Sequence, residues 1–296
     1  MSKETKFIVL QSSVVFNNQL SFFGDEYEDT KEGRNKAFRD LIQKFKEKKV
    51  LKISPRITEY VLVYKITISE DILYCQLAKR TPMETYRLSE NDLKQEQIDN
   101  YPPLDVFVNI EKHQIAVQLN SSILSEKSIE TTIKNLLNSL TKDFSLFVNT
   151  IQDKKEFWDL IEQEDEIQEI SFDLIVPNFF NATGDANELV STAKEKLNAD
   201  SVGLSIKNKK GKLKAELSAI DSYVKYASLT GSWKLKIKQA GTLKYKTIHS
   251  TDYSLQKTIE TELLDLVKKT DSNWQIDTDV YSGLVERISG LFNDEN

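Results

Sequence analysis

The chain has 296 residues, 39% of them hydrophobic and 29% charged, with a net charge of −6. That composition holds enough apolar material for packed cores and excludes a disordered or collagen-like chain. No apolar run approaches the roughly 20 residues that span a bilayer, and with Cys75 as the sole cysteine no intrachain disulfide can form.

The first residues, Met1 to Lys6, lack the apolar core of a secretory signal, so a cytoplasmic location is expected. Lys6–Phe16 is β-rich and opens a first sheet. Phe22–Glu32 is acidic and reads as a loop. Phe38, Leu41, Ile42 and Phe45 recur at helical spacing within Lys36–Lys48. Strands are expected at Ile57–Ser69 and Asp71–Lys79, the second with Leu73, Cys75 and Leu77 on one face. Residues 80–101 are polar and read as loop with some helix. Strands at Leu104–Ile110 and His113–Leu119 follow, joined by a tight Glu111-Lys112 turn that leaves His113 exposed. Ser128 is placed as the N-cap of a helix carrying Ile133, Leu136, Leu137 and Leu140.

After a strand at Phe144–Thr150, Asp153 and Glu156 form an acidic capping box before Phe157 and Trp158. From Asp153 to Asp173 the chain holds nine acids and two lysines, either a solvated face or an acidic surface that holds the basic segment described below. Ile170–Val176 reads as a strand. A helix begins at Asp185, with Leu189, Val190, Ala193 and Leu197 inward. A hairpin over Ser201–Leu217, a short helix at Asp221–Leu229, a second hairpin and helices at Thr258–Lys269 and Thr278–Phe292 complete the order. The expected fold is α+β in two domains, 1–165 and 166–296, each a mostly antiparallel sheet packed with helices.

The charge is unevenly placed. Between Ser201 and Ser250 stand eleven lysines and only two acids, Glu216 and Asp221, a segment of +9. The remaining 29 bases and 44 acids make the rest of the chain −15. Lys212 and Lys214 alternate with apolar neighbours, as do Lys234, Lys236 and Lys238, and Lys244 and Lys246. Strand side chains alternate between faces, so each run turns its lysines to one side. Together with Lys207, Lys209 and Lys210 they are the candidate nucleic-acid contacts, and all are expected to share one basic face. The region has no arginine, so base-specific bidentate reading is not favoured, and sequence-independent phosphate contact is the expected mode. The plainer reading is a solvated sheet face whose lysines discourage edge pairing.

No catalytic residue, metal ligand or cofactor site is assigned. Neither a Gly-x-x-x-x-Gly-Lys nor a Gly-x-Gly-x-x-Gly occurs. Cys75, His113 and His249 are too far apart in sequence to indicate zinc, and Cys75 sits on the apolar parity of its strand. Asp173 and Glu216, with Lys214 nearby, are the best pair available for a metal-dependent nuclease.

Two stretches, YPPLDVFVNIEKHQIAVQL at 101–119 and the segment 171–217 that runs from SFDLIVPNFF through ANELVSTAKEKL to SVGLSIKNKKGKLKAEL, resemble phage-exclusion proteins of the RexA type and their abortive-infection relatives. The resemblance covers about half the chain and rests on element order and patterning. It implies a two-domain homodimer that binds DNA without strong sequence preference and acts in antiviral defence. The leading expectation is therefore a non-enzymatic DNA-binding exclusion protein. The alternatives are a protein-binding adaptor or partner protein of a defence operon, and then the nuclease.

Overall fold

The computed structural model describes residues 4–16, 27, 30–55, 57–89, 92–163, 166–176, 184–197, 199–208, 213, 217–238, 244–271 and 278–293. Its strands and helices give an α+β fold built on antiparallel sheets. The chain groups into two compact units, and neither is a single stretch of sequence. One contains residues 1–7, 16–146 and 257–296; the other contains 8–15 and 147–256. The 1–165 and 166–296 division is a reading of charge, whereas this grouping follows packing.

In the first unit, the opening strand β1 (Glu4–Phe16) contributes its first residues, and Lys6 accepts a hydrogen bond from Leu119 N. Helix α1 (Lys31–Lys48) begins earlier than its apolar stripe suggests, because the Thr30 hydroxyl accepts from Gly33 N and caps it. Strands β2 (Val50–Ile53), β3 (Tyr60–Ser69) and β4 (Ile72–Lys79) follow. Next come β5 (Thr81–Ser89) and β6 (Asp92–Asn100), which pair with each other over their whole length. This hairpin replaces the loop and helix expected for 80–101. Its side chains are exposed along nearly all of both strands, so no buried alternation marks them as strands.

Strands β7 (Pro103–Asn109) and β8 (Gln114–Gln118) complete the antiparallel order β8-β7-β4-β3-β2. Helix α2 (Glu126–Asn138) starts one residue after Ser125, and Ser128 lies inside it with its hydroxyl 2.8 Å from that of Ser125. The core holds Phe38, Leu41 and Phe45 of α1 with Leu73, Cys75, Phe107, Ile133 and Leu136. His113 is not the exposed turn residue expected. It is 3% exposed, adopts φ 54°, and stacks on Phe38 at 4.3 Å between ring centroids. Burial pushes its imidazole down to about 4.

The second unit contains residues 8–15 of β1, most of β9 (Phe144–Thr150), and α3 (Lys154–Gln163). Asp153 accepts from Lys155 N at 2.9 Å and so caps α3. The reciprocal half of the expected capping box is not made, since Asp153 N donates to Tyr253 O at 3.0 Å and not to Glu156. Then come β10 (Glu166–Ile175), α4 (Asp185–Leu197), β11 (Ser201–Lys207), α5 (Leu217–Thr230), β12 (Gly231–Lys238) and β13 (Tyr245–His249). Four of these strands make one antiparallel sheet in the order β11-β10-β12-β13. Thus β11 pairs with β10; the second arm of the hairpin expected over Ser201–Leu217 falls largely outside the described residues, and α5 is longer than the short helix expected. Leu197 of α4, expected inward, is 77% exposed, while Val190 and Ala193 are buried as expected and Ala186 is buried with them.

Phe172, Trp233, Leu235 and Ile237 lie on one side of this sheet with Phe157 of α3, Val190 of α4, and Val224 and Ala227 of α5. The other side carries polar side chains. At the start of β12, Gly231 is required: a Cβ built there would lie 2.1 Å from the Asp173 carbonyl oxygen.

Residues 256–260 form β14 (Gln256–Glu260), so the helix expected from Thr258 starts only at Thr261. Then follow α6 (Thr261–Asp271), α7 (Thr278–Ser289) and a short 3-10 turn at Gly290–Phe292. Residues 257–296 belong to the first unit, where Lys268 Nζ of α6 lies 3.1 Å from the buried Asp105 carboxylate. No helix among the described residues is long and apolar enough to cross a membrane.

Candidate nucleic-acid interface

Strand parity on β12 works as the sequence suggests. Trp233, Leu235 and Ile237 are buried, and Lys234, Lys236 and Lys238 project to the other side. Cross-strand register then decides what stands beside each lysine, because residues directly opposite share a face. Lys207 of β11, Glu169 of β10, Lys236 of β12 and Thr247 of β13 form one row across the outer face. Ser205, Ser171, Lys234 and His249 form the next. Gly203, Asp173 and Ser232 form a third. Beyond a bulge between Ile167 and Glu169, the last row is Glu166, Lys238 and Tyr245.

The expected single basic face is therefore corrected in two ways. First, β10 runs between the lysine strands and brings three carboxylates onto the same surface. Lys207 Nζ lies 2.9 Å from Glu169 Oε1, and Lys238 Nζ lies 3.3 Å from Glu166 Oε2. The Glu169 carboxyl is held below its usual range, chiefly by Lys207 and then by the Ser171 and Ser205 hydroxyls that donate to it. Tyr245 donates its hydroxyl to Glu166 Oε1 at 2.8 Å, which pushes the phenol up. Two of the nine acids from Asp153 to Asp173, Glu166 and Glu169, thus pair with lysines of the same sheet.

Second, Lys246 stands opposite Ile237, on the parity of the buried side, and is exposed only because β13 ends the sheet. It does not share the row of Lys234, Lys236 and Lys238.

The sheet instead gathers its lysines at one end. The C-terminal ends of β11 and β12, carrying Lys207 and Lys238, lie beside the N-terminal end of β10. Lys244 precedes Tyr245, the residue opposite Lys238. Lys236 Nζ lies 5.5 Å from the centre of the Tyr245 ring. Lys209, Lys210, Lys212 and Lys214 lie outside the described residues. Their described neighbours, however, are pinned at this same end: Asn208 N donates to Gln168 O at 3.0 Å, and Leu213 N donates to Ile167 O at 2.9 Å. Among the described residues Lys234, Lys236 and Lys246 make no ion pair, and Lys225 is paired with Asp221 along α5 at 2.6 Å.

A depression of about 400 Å³ opens at the far end of the same face, lined by Ser171, Asp173, Gly203, Ser205, Ser232 and Lys234. It exists because Gly203 and three serines leave space around Asp173. Of the nuclease candidates, Asp173 lines the depression, and Glu216 and Lys214 lie outside the described residues. Among the described residues no group of three or more His, Cys, Asp or Glu side chains could hold a metal ion. Cys75 is fully buried in the other unit, and His249 is exposed at the end of β13, opposite Lys234. Sequence reasoning missed the β10 carboxylates as members of this surface, since only the strand order places β10 between β11 and β12.

No curated protein matches the chain. A family model matches residues 87–265, more than half of its length and including the whole four-stranded sheet. The chain belongs to the family described as Domain of unknown function (DUF4747).

Proposed function

We propose that this chain is a cytoplasmic binding protein that holds nucleic-acid phosphates, without reading sequence, at the lysine-bearing end of its four-stranded sheet. The observation that carries the reading is the convergence of the ends of β11 and β12, the start of β13 and the flanks of the 209–212 lysine run on one end of one sheet. Lysines act there as point charges that displace counterions from a phosphate backbone. The RexA-type resemblance supports placing this binding in antiphage defence, with DNA as the polyanion.

The test is filter binding of duplex DNA from about 50 mM to about 300 mM salt. Affinity is expected to fall linearly on a log–log plot, with a slope set by the number of phosphates neutralised. Replacing Lys209, Lys210, Lys236 and Lys246 together by Glu is expected to abolish binding while the thermal melt is kept. Binding that ignores salt, or none at the lowest salt, overturns the reading.

A second reading has its own observation. The carboxylates of Glu166, Glu169 and Asp173 nearly balance Lys207, Lys234, Lys236 and Lys238 on the outer face. A charge-alternating face of this kind suits a protein partner of matching pattern better than a uniform polyanion. Salt-dependent capture of a partner protein, with no affinity for DNA, favours this adaptor reading.

A further inference from the structure

The β5–β6 hairpin pairs only with itself among the described strands, and nine residue pairs link its two strands. A lone two-stranded ribbon is marginal in water, yet this one carries Tyr86, Leu88 and Leu93 at 65%, 73% and 61% exposure. Its register also sets the cations Arg87 and Lys94 directly opposite each other. Like charges so placed destabilise a ladder unless an anion joins them.

The phase of the ladder shows which edge is free to pair. Two residues separate the closing pair Ser89 and Asp92, so that pair is the hydrogen-bonded kind and alternate pairs follow it. The outward backbone groups are then those of 82, 84, 86 and 88 on β5 and of 93, 95, 97 and 99 on β6. Pro82 falls in the outward set and has no N–H to offer, which blunts β5. Strand β6 carries no proline; of its outward donors, Leu93 N is held by the neighbouring Asp92 Oδ1 at 2.8 Å and must be released on pairing, while Gln95 at the centre keeps both its donor and its acceptor.

We infer that β6 pairs antiparallel with β6 of a second copy of this chain, about a two-fold axis through Gln95. A two-fold between antiparallel strands keeps faces matched. Centring on Gln95 uses the outward phase and sets Leu93 against the partner's Gln97. It sets Lys94 against the partner's Glu96, twice. Centring on Gln97 overlaps as many residues and makes no pair of opposite charge; centring on Leu93 leaves only three residues overlapped. Charge complementarity thus selects both the occupant and the register. Each Arg87–Lys94 cation pair gains a carboxylate directly across from Lys94, and two marginal ribbons become one four-stranded sheet.

The experiment is the solution mass of the full chain by light scattering and sedimentation over a concentration series. A dimer is expected. Gln95→Pro removes the central donor from an edge and is expected to give monomers with an unchanged far-UV spectrum. Lys94→Glu turns both ion pairs into repulsions and is expected to weaken association about tenfold, which the double variant Lys94→Glu/Glu96→Lys restores. Gln95→Cys is expected to cross-link across the axis under oxidation, since hydrogen-bonded partners lie about 5.5 Å apart at Cα. A monomer at every concentration overturns the inference. So does a dimer indifferent to both Gln95→Pro and the charge swap.

Discussion

Lys207 Nζ and Glu169 Oε1 lie 2.9 Å apart across the ladder between β11 and β10, and the same Glu169 oxygen accepts the hydroxyls of Ser171 and Ser205 at 3.0 and 3.1 Å. One carboxylate thus organises the outer face of the sheet and cancels the lysine that ends β11. The surface that sequence alternation presents as basic is, in three dimensions, a mixed one.

Glu169→Gln releases Lys207 from its ion pair and keeps a hydrogen-bonding side chain in place. The pair is half exposed on the lysine side, so stability is expected to change by less than about 1 kcal/mol. Under the phosphate-binding proposal, DNA affinity should rise and the salt slope should steepen by about one unit. Urea melts and a salt series measure the two effects separately.

Lys268 lies 3.1 Å from Asp105, whose carboxylate is buried and also accepts the Tyr74 hydroxyl at 2.7 Å. Removing the cation with Lys268→Met leaves a buried charge held by one phenol. A loss of about 2 kcal/mol is expected, at the low end for breaking a buried pair because the lysine side is 45% exposed. Asp105→Asn in the same background is expected to recover part of that loss, since the charge is then gone. Chemical denaturation of the single and double variants gives the coupling directly.

His113 is buried with its imidazole pushed down to about 4, against an ordinary value of 6.5. The unfolded chain therefore binds a proton that the folded chain refuses. Stability from this site is fully present above pH 6.5, and is lost as pH falls from there towards 4, by at most about 3 kcal/mol. His113→Asn tolerates the positive φ and cannot titrate, so its stability should be flatter over that window. Melting temperatures at pH 7, 6 and 5 for both proteins decide it.

Gly231→Ala places a methyl 2.1 Å from the Asp173 carbonyl oxygen, which is backbone and cannot swing aside. The ladder between β10 and β12 must open at that end, and a cost above about 2 kcal/mol is expected. Gly203→Ala, on the open face where an added Cβ meets nothing within 4 Å, is the control, with little change expected in the melt.

Much of the element order was legible before the structure. Apolar alternation identified β4, β12 and β13, β-rich apolar runs identified β1 and β7, and helical spacing identified α1, α2 and α4. The helices and β12 bury one face, and burial of one face is what writes a period into sequence, whereas β1, β4 and β7 are buried on both faces and read as apolar runs. The β5–β6 hairpin was illegible for the opposite reason: with its side chains exposed, only backbone hydrogen bonds define it. His113 was misread because its neighbours in sequence make a turn, while Phe38 of α1, 75 positions earlier, covers it.

For the candidate site, the sequence alone determined which side of each strand its lysines take, because that depends only on successive side chains pointing to opposite faces. It also placed the +9 segment between Ser201 and Ser250. Tertiary structure decided everything that depends on neighbours. Strand order put Glu166, Glu169 and Asp173 between the lysine strands, and the register of β12 against β13 turned Lys246 away from Lys236. The physical reason is that parity is local to one strand. Which strands adjoin, and in what phase, is set by burial of the opposite face and by the connections between them, and no period within a strand records either.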